Sequence, residues 1–175
     1  MHPYTTYIEV SLTGKKDNVI HMLNTAMHSA GSANVIAEGD DMESILQKVK
    51  EVDDCQQFLL PDFMDEKSIQ ECGLQEKLYG CRHEGKDDCY DWVSIRSITE
   101  DGEKYTLELE SVAHEEVEVF GMSDWEVWGK KASRLYQCRI VMKQDCVGDG
   151  LLESYLFTFD PEGPLMHLEY TESTY

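Results

Sequence analysis

The sequence predicts one α+β domain, with a largely antiparallel sheet and about four helices packed mainly on one face. Three observations predict it. Several stretches alternate strictly between apolar and polar residues, others repeat apolar residues at three- and four-residue steps, and helical periodicity dominates the first half while paired strands dominate the second. A ferredoxin-like core with additions is one specific form of that arrangement. The 175 residues fit one core, 1–175, and 41% hydrophobic content with 10% aromatic residues is enough to fill it.

The first alternation runs from Thr6 to Leu12, with Thr6, Ile8, Val10 and Leu12 on one side and Tyr7, Glu9 and Ser11 on the other. That is a half-buried strand. Gly14 breaks the pattern, and Val19, Leu23, Ala26, Met27 and Ala30 then mark a helix that Gly31 stops. Asn34 to Ala37 reads as a short strand. Gly39-Asp40-Asp41 offers a capping residue for a second helix, whose inner face is Met42, Ile45, Leu46, Val49 and Val52. A short extended piece over 58–61 precedes a third helix over 62–78, which Gly73 weakens by roughly 1 kcal/mol relative to Ala. A loop over 79–88 follows.

Val93 and Ile95 alternate with Ser94 and Arg96 ahead of the turn Glu100-Asp101-Gly102, and Tyr105, Leu107 and Leu109 then alternate with Thr106, Glu108 and Glu110. This is the clearest hairpin in the chain. Val117 and Val119 keep the two-residue period. Ser123 with Glu126 forms a capping-box pattern for a fourth helix carrying Trp125, Trp128, Ala132 and Leu135. After it, Tyr136, Cys138, Ile140 and Met142 alternate, Gly148-Asp149-Gly150 turns the chain, and Tyr155, Phe157 and Phe159 form the return strand. Pro161-Glu162-Gly163-Pro164 forces another turn before a final strand marked by Met166, Leu168 and Tyr170.

Charge is the strongest functional signal. Thirty-five acidic against 15 basic residues give a formal net charge of −20. A surface this negative repels the phosphates of DNA and RNA and anionic lipid, so direct nucleic-acid binding is not expected and a basic protein is the natural partner. No Lys or Arg follows Lys143, whereas Asp145, Asp149, Glu153, Asp160, Glu162, Glu169 and Glu172 all do. Between Ser97 and Gly129 the one basic residue is Lys104, set among ten acids.

No apolar run approaches the roughly 18–20 residues that span a bilayer, and the N-terminus lacks a basic-then-apolar leader pattern, so the expected location is the cytoplasm, away from membranes. Six cysteines then read as reduced thiols.

Chemistry-bearing motifs are scarce. Cys72, Cys81, His83 and Cys89 supply soft ligands, and the loop Cys81-His83-Cys89 is the centre on which a small enzyme or a ligand- or metal-binding domain would be built. Their spacing differs from the tight C-x₂₋₄-C pairs of structural zinc sites, so no metal and no cofactor are assigned. The carboxylates around Cys89 would raise its thiol pKa, which opposes a nucleophilic role. His21 and His28 are two helical turns apart, about 10 Å along the axis, too far for one metal to bridge directly. No phosphate-loop, dinucleotide, nucleophile-elbow, zincin or EF-hand pattern occurs, and no catalytic residue is assigned.

Alternation places Glu108 and Glu110 together on the outward side of one strand, and Glu116 and Glu118 on that of the next segment. These four are the expected contacts for a basic partner. Ser111 to His114 lacks Gly or Pro, so one long bent strand is the alternative to two, and it would narrow the patch. Trp125 and Trp128 read as core anchors, or else as an aromatic binding surface. The function expected is that of a non-enzymatic interaction protein, such as an inhibitor, an immunity protein for a nuclease toxin, or a nucleic-acid mimic.

Overall fold

The computed structural model describes residues 5–29, 32–56, 94–114, 122–164 and 166–175. Their order is β1 (Thr5–Lys15), α1 (Lys16–Ser29), α2 (Met42–Gln56), β2 (Ser94–Asp101), β3 (Lys104–His114), α3 (Met122–Tyr136), β4 (Arg139–Gly148), β5 (Leu151–Phe159) and β6 (His167–Thr174). The six strands form one open sheet in the order β2-β3-β1-β4-β5-β6, antiparallel throughout. Three helices stand among the described residues, where about four were expected. The expected helix at 62–78 and the loop at 79–88 lie outside them.

One face of the sheet makes the core. β1 lies at its centre, where Ile8, Val10 and Leu12 are buried between Leu107 and Leu109 of β3 and Ile140 and Met142 of β4. Phe157 and Phe159 of β5 continue the layer. Above it lie Val19, Met22, Leu23 and Met27 of α1 and Ile45 and Val49 of α2. Each large aliphatic side chain buried in this way contributes roughly 1.5–3 kcal/mol relative to exposure. No helix among the described residues is long and apolar enough to cross a membrane.

Local chemistry fixes the ends. Asp41 caps α2, accepting from the Ser44 amide at 2.8 Å. At the end of α3, Gln137 adopts φ 51° and the Cys138 amide reaches back to the Ser133 carbonyl at 3.2 Å, the six-to-one bond of a Schellman stop. Asp149 and Gly150 have φ of 50° and 77°, the two positive values that a type I′ hairpin between β4 and β5 requires.

Four local expectations change. The first strand does not stop at Gly14. It continues to Lys15, and Gly14 is buried where an added Cβ would lie 2.4 Å from Cys138 Sγ, so the glycine serves a close approach to the Cys138 side chain just ahead of β4. Residues 34–37 are not a strand, because Ile36 finds its partners in a side chain: its amide donates to Asn24 Oδ1 at 2.8 Å and its carbonyl accepts from Asn24 Nδ2 at 3.1 Å. β2 contains a bulge between Ile95 and Ser97, which puts Ile95 and Ile98, three residues apart, on the buried side. Finally, Leu135 of α3 is exposed, and the helix buries Gly129, Ala132, Ser133 and Tyr136 instead. Gly129 sits against the Phe159 ring, 2.3 Å from where its Cβ would be. The side chains of Trp125 and Trp128 lie outside the described residues.

Candidate functional site

The sheet carries two pairs of glutamates directly opposite one another on neighbouring strands: Glu9 with Glu110 across β1 and β3, and Glu153 with Glu172 across β5 and β6. Like charges so placed destabilise a sheet by roughly 0.2–1 kcal/mol unless something relieves them. What surrounds the two pairs differs.

Glu9 and Glu110 lie on the face away from the helices. Arg96 stands between them, 3.5 Å from Glu9 and 3.6 Å from Glu110. Lys143 is in register with Glu9 on the other side and pairs with Asp145 at 3.1 Å. Glu108, next on the same face of β3, accepts a hydrogen bond from Ser11 Oγ at 3.0 Å. The expected neighbours Glu108 and Glu110 therefore do share the outer side of one strand, within a field of mixed sign. Glu116 and Glu118 lie outside the described residues. β3 runs unbroken to His114, so Ser111 to His114 belongs to one long strand.

Glu153 and Glu172 lie on the helix side of the sheet, at the end where the core gives way to polar groups. Gln144 is fully buried there, its amide nitrogen 3.1 Å from Met142 Sδ and its oxygen without a partner. Thr6 Oγ1 and Cys146 Sγ share a hydrogen bond at 3.3 Å. In register with Gln144 is Tyr155, and in register with Tyr155 is Tyr170, their ring centroids 4.9 Å apart. The Tyr170 hydroxyl lies 2.8 Å from Glu172 Oε2 and 3.0 Å from Glu153 Oε1.

One phenolic proton therefore serves two carboxylates. A hydroxyl donates a single hydrogen, so it cannot satisfy both acids at once. Among the described residues, no Lys or Arg forms an ion pair with Glu153 or Glu172. The Tyr170 pKa is pushed well above the usual phenol value by its hydrogen bond to Glu172, then by desolvation and by Glu153. Tyr155 is raised too, chiefly by burial and then by the Glu153 charge. The chemical capacity of this arrangement is to receive a cation: two carboxylate oxygens converge on one hydroxyl.

The acid-only composition after Lys143 is plain in the sequence, but nothing there joins Glu153 to Glu172. The missing signal was register, because nineteen positions separate the two in sequence and only the β5–β6 ladder puts them opposite each other. That ladder is set beyond the turn at 160–164, where Asp160 Oδ1 accepts from the amides of Glu162 and Gly163 at 2.9 and 3.2 Å. Arg134 of α3 then pins the turn by donating to the carbonyls of Pro161 at 2.8 Å and Gly163 at 3.0 Å.

Other candidate groups are dispersed. His21 is exposed, with its ring edge-on to Tyr136 at 5.3 Å, and His28 is exposed at the end of α1. His167 and Glu169 lie 3.5 Å apart on the outer side of β6, as their spacing predicts, and both are well exposed. Cys138 is buried, and desolvation pushes its thiol up to about 11, which makes it unreactive at neutral pH. Cys72, Cys81, His83 and Cys89 lie outside the described residues. Among those described, no group of three or more His, Cys, Asp or Glu is placed to hold a metal ion. Compared with known proteins, the chain matches no family model, no curated protein and no solved structure.

Proposed function

We propose that this protein is a non-enzymatic interaction module that holds a basic protein partner through its acidic surface, as an inhibitor, an immunity protein or a nucleic-acid mimic does. The observation that carries this reading is the contrast between the two glutamate pairs. Glu9 and Glu110 have Arg96 between them, whereas among the described residues Glu153 and Glu172 have a neutral hydroxyl and no cation. A cation from outside would supply what the second pair lacks, and long-range attraction from a net charge of −20 would speed its arrival. Glu153 and Glu172 are the leading contacts in this reading, followed by Glu108 and Glu110; the sequence-expected Glu116 and Glu118 lie outside the described residues.

The fold suits that role. The strand order β2-β3-β1-β4, with α1 and α2 between β1 and β2 and α3 between β3 and β4, supports a ferredoxin-like core with additions, among them the β5 and β6 strands. The proposed site sits where β5 and β6 meet, beyond the buried Phe157 and Phe159 of β5. A cytoplasmic single domain of this kind would act on a partner rather than on phosphates, which its charge repels.

The test is a low-salt titration with fluorescent decalysine. E153Q/E172Q, E108Q/E110Q and E38Q/E103Q each remove the same formal charge, the last pair from separate exposed positions. The expected result is a fall in affinity of roughly threefold or more for E153Q/E172Q beyond that of E38Q/E103Q, since a difference of 1.4 kcal/mol is tenfold. Equal losses in all three would mean that the acids act as a diffuse coat, and would overturn the reading.

A further inference from the structure

Among the described residues the sheet ends in two edges of unlike character. β2 is interrupted by its bulge and carries Arg96, and both devices discourage the addition of another strand. β6 has neither. It pairs with β5 in unbroken register from His167 opposite Thr158 to Thr174 opposite Leu151, contains no Pro, Lys or Arg, and is exposed along its whole length. Leu168 is 43% and Tyr170 47% exposed, large apolar surfaces for a strand with nothing beyond it among the described residues.

The backbone of β6 shows which groups await a partner. The Tyr175 amide donates to the Gly150 carbonyl at 3.0 Å, in line with the β5–β6 register. In an antiparallel ladder the residues alternate between facing the paired strand and facing away. The odd-numbered residues of β6 therefore bond to β5, and the amides and carbonyls of Leu168, Tyr170, Glu172 and Thr174 face the open side. The side chains of that edge carry carboxylates alone as formal charges at neutral pH, Glu169 on the outer face and Glu172 on the helix face.

We infer that β6 accepts an additional antiparallel strand from a basic partner, an extended segment with Lys or Arg opposite Glu172 and again three residues later opposite Glu169. Apolar residues of that segment lie opposite Tyr170 and Leu168. Main-chain bonds to the open edge give this mode its affinity, and the alternating side chains give it specificity. Charge selects the occupant. A second copy of this chain would bring Glu169 and Glu172 against their own kind and add another net charge of −20, whereas a basic segment neutralises both. The inference rests on the reading of Glu153 and Glu172 as a cation-receiving pair, and it adds the backbone geometry by which the cation is delivered.

The experiment uses the full chain and a blocked peptide of one-letter sequence TRTVKVT, in which R meets Glu172, V and V meet Tyr170 and Leu168, and K meets Glu169. Amide exchange is followed by NMR, with and without peptide. The expected result is slowed exchange at Leu168, Tyr170 and Glu172, together with binding that weakens about tenfold or more when the peptide is N-methylated at the positions that donate to β6. Leu168→Pro should weaken binding similarly, because it removes one outward amide and no ladder bond or charge. Should that variant fail to fold, the methylated peptide still decides the matter on the unaltered protein. Equal binding of methylated and unmodified peptides, both weakened by E153Q/E172Q, would overturn strand addition and leave the acidic-surface reading standing. Failure of both peptides to bind, or binding indifferent to E153Q/E172Q, would overturn both. Self-association of the protein alone, with protection at the same amides, would show a second copy as the occupant and overturn the basic partner.

Discussion

Tyr170 donates its hydroxyl to Glu172, two positions along the same face of β6, at 2.8 Å, and this bond is the largest cause of its raised pKa. The consequence is a pH dependence with a definite sign. Because the folded pKa of Tyr170 is raised, the native state keeps the proton where the unfolded chain loses it. The unfolded state then binds fewer protons, and stability falls as pH rises. The contribution is fully present below the unfolded phenol value, about 10, and is lost as pH climbs through the folded value. Denaturant unfolding between pH 9 and pH 11 should show a decline that is shallower in Tyr170→Phe. An unchanged slope in that variant would place the effect in Tyr136 and Tyr155, whose pKa values are also raised, chiefly by burial.

Gly14 and Cys138 occupy one another's space. An alanine methyl at position 14 would stand 2.4 Å from Sγ, a separation that something must yield to avoid. Gly14→Ala is expected to cost about 1–3 kcal/mol, as overpacking of a filled interior does. Removing the sulfur should return part of that cost, so Gly14→Ala measured in a Cys138→Ala background should destabilise less than in the wild-type chain. Additive costs in the double-mutant cycle would show that the close approach carries no energy.

Arg96 relieves the Glu9–Glu110 pair, and its loss should be felt there. The group is about half exposed, so solvent screens it and the expected cost of Arg96→Gln is only about 0.2–1 kcal/mol at low salt. The loss should shrink in high salt. Glu9→Gln in the same chain should recover most of it, because the remaining carboxylate then has no like charge opposite. A cost that persists at high salt would mean that the Arg96 stem, rather than its charge, matters.

Arg134 ties α3 to the turn that sets the β5–β6 register. Replacing it by Leu removes two bonds to carbonyls, at an exposed site where roughly 0.5–1.5 kcal/mol each is the upper end of what can be lost. The change should show locally, as faster amide exchange at Thr171 and Ser173, whose partners are in β5, with little change in β1. Uniform acceleration through the sheet would indicate a global loss of stability instead.

Alternation located β1, β3, β4, β5 and β6, and Asp-Gly at 149–150 named its own hairpin, because period two and positive φ are properties of short windows. The role of Gly14 was not visible, since a glycine that permits close approach and one that ends a strand look the same until the partner, Cys138, is known. Residues 34–37 misled for a related reason: an extended backbone was expected to need a strand, and the Asn24 side chain met the need instead. For α3, small residues at Gly129 and Ser133 mark the buried side, which a pattern that counts only large apolar residues passes over.

The site was readable only by composition. That acids alone follow Lys143 is plain from the sequence, but a like-charge pair exists only where two strands meet. Glu9 with Glu110 and Glu153 with Glu172 are both created by register. Whether such a pair is neutralised depends on a third residue: Arg96 is brought in by the bulged strand β2, and Tyr170 by its place two residues before Glu172.

The measurement that most directly tests this account follows the side-chain carboxyl carbons of Glu9, Glu108, Glu110, Glu153 and Glu172 by NMR as decalysine is added at low salt. Shifts that are largest and saturate first at Glu153 and Glu172 are the predicted result. Shifts of equal size at all five, or larger ones at Glu9, Glu108 and Glu110, would contradict it.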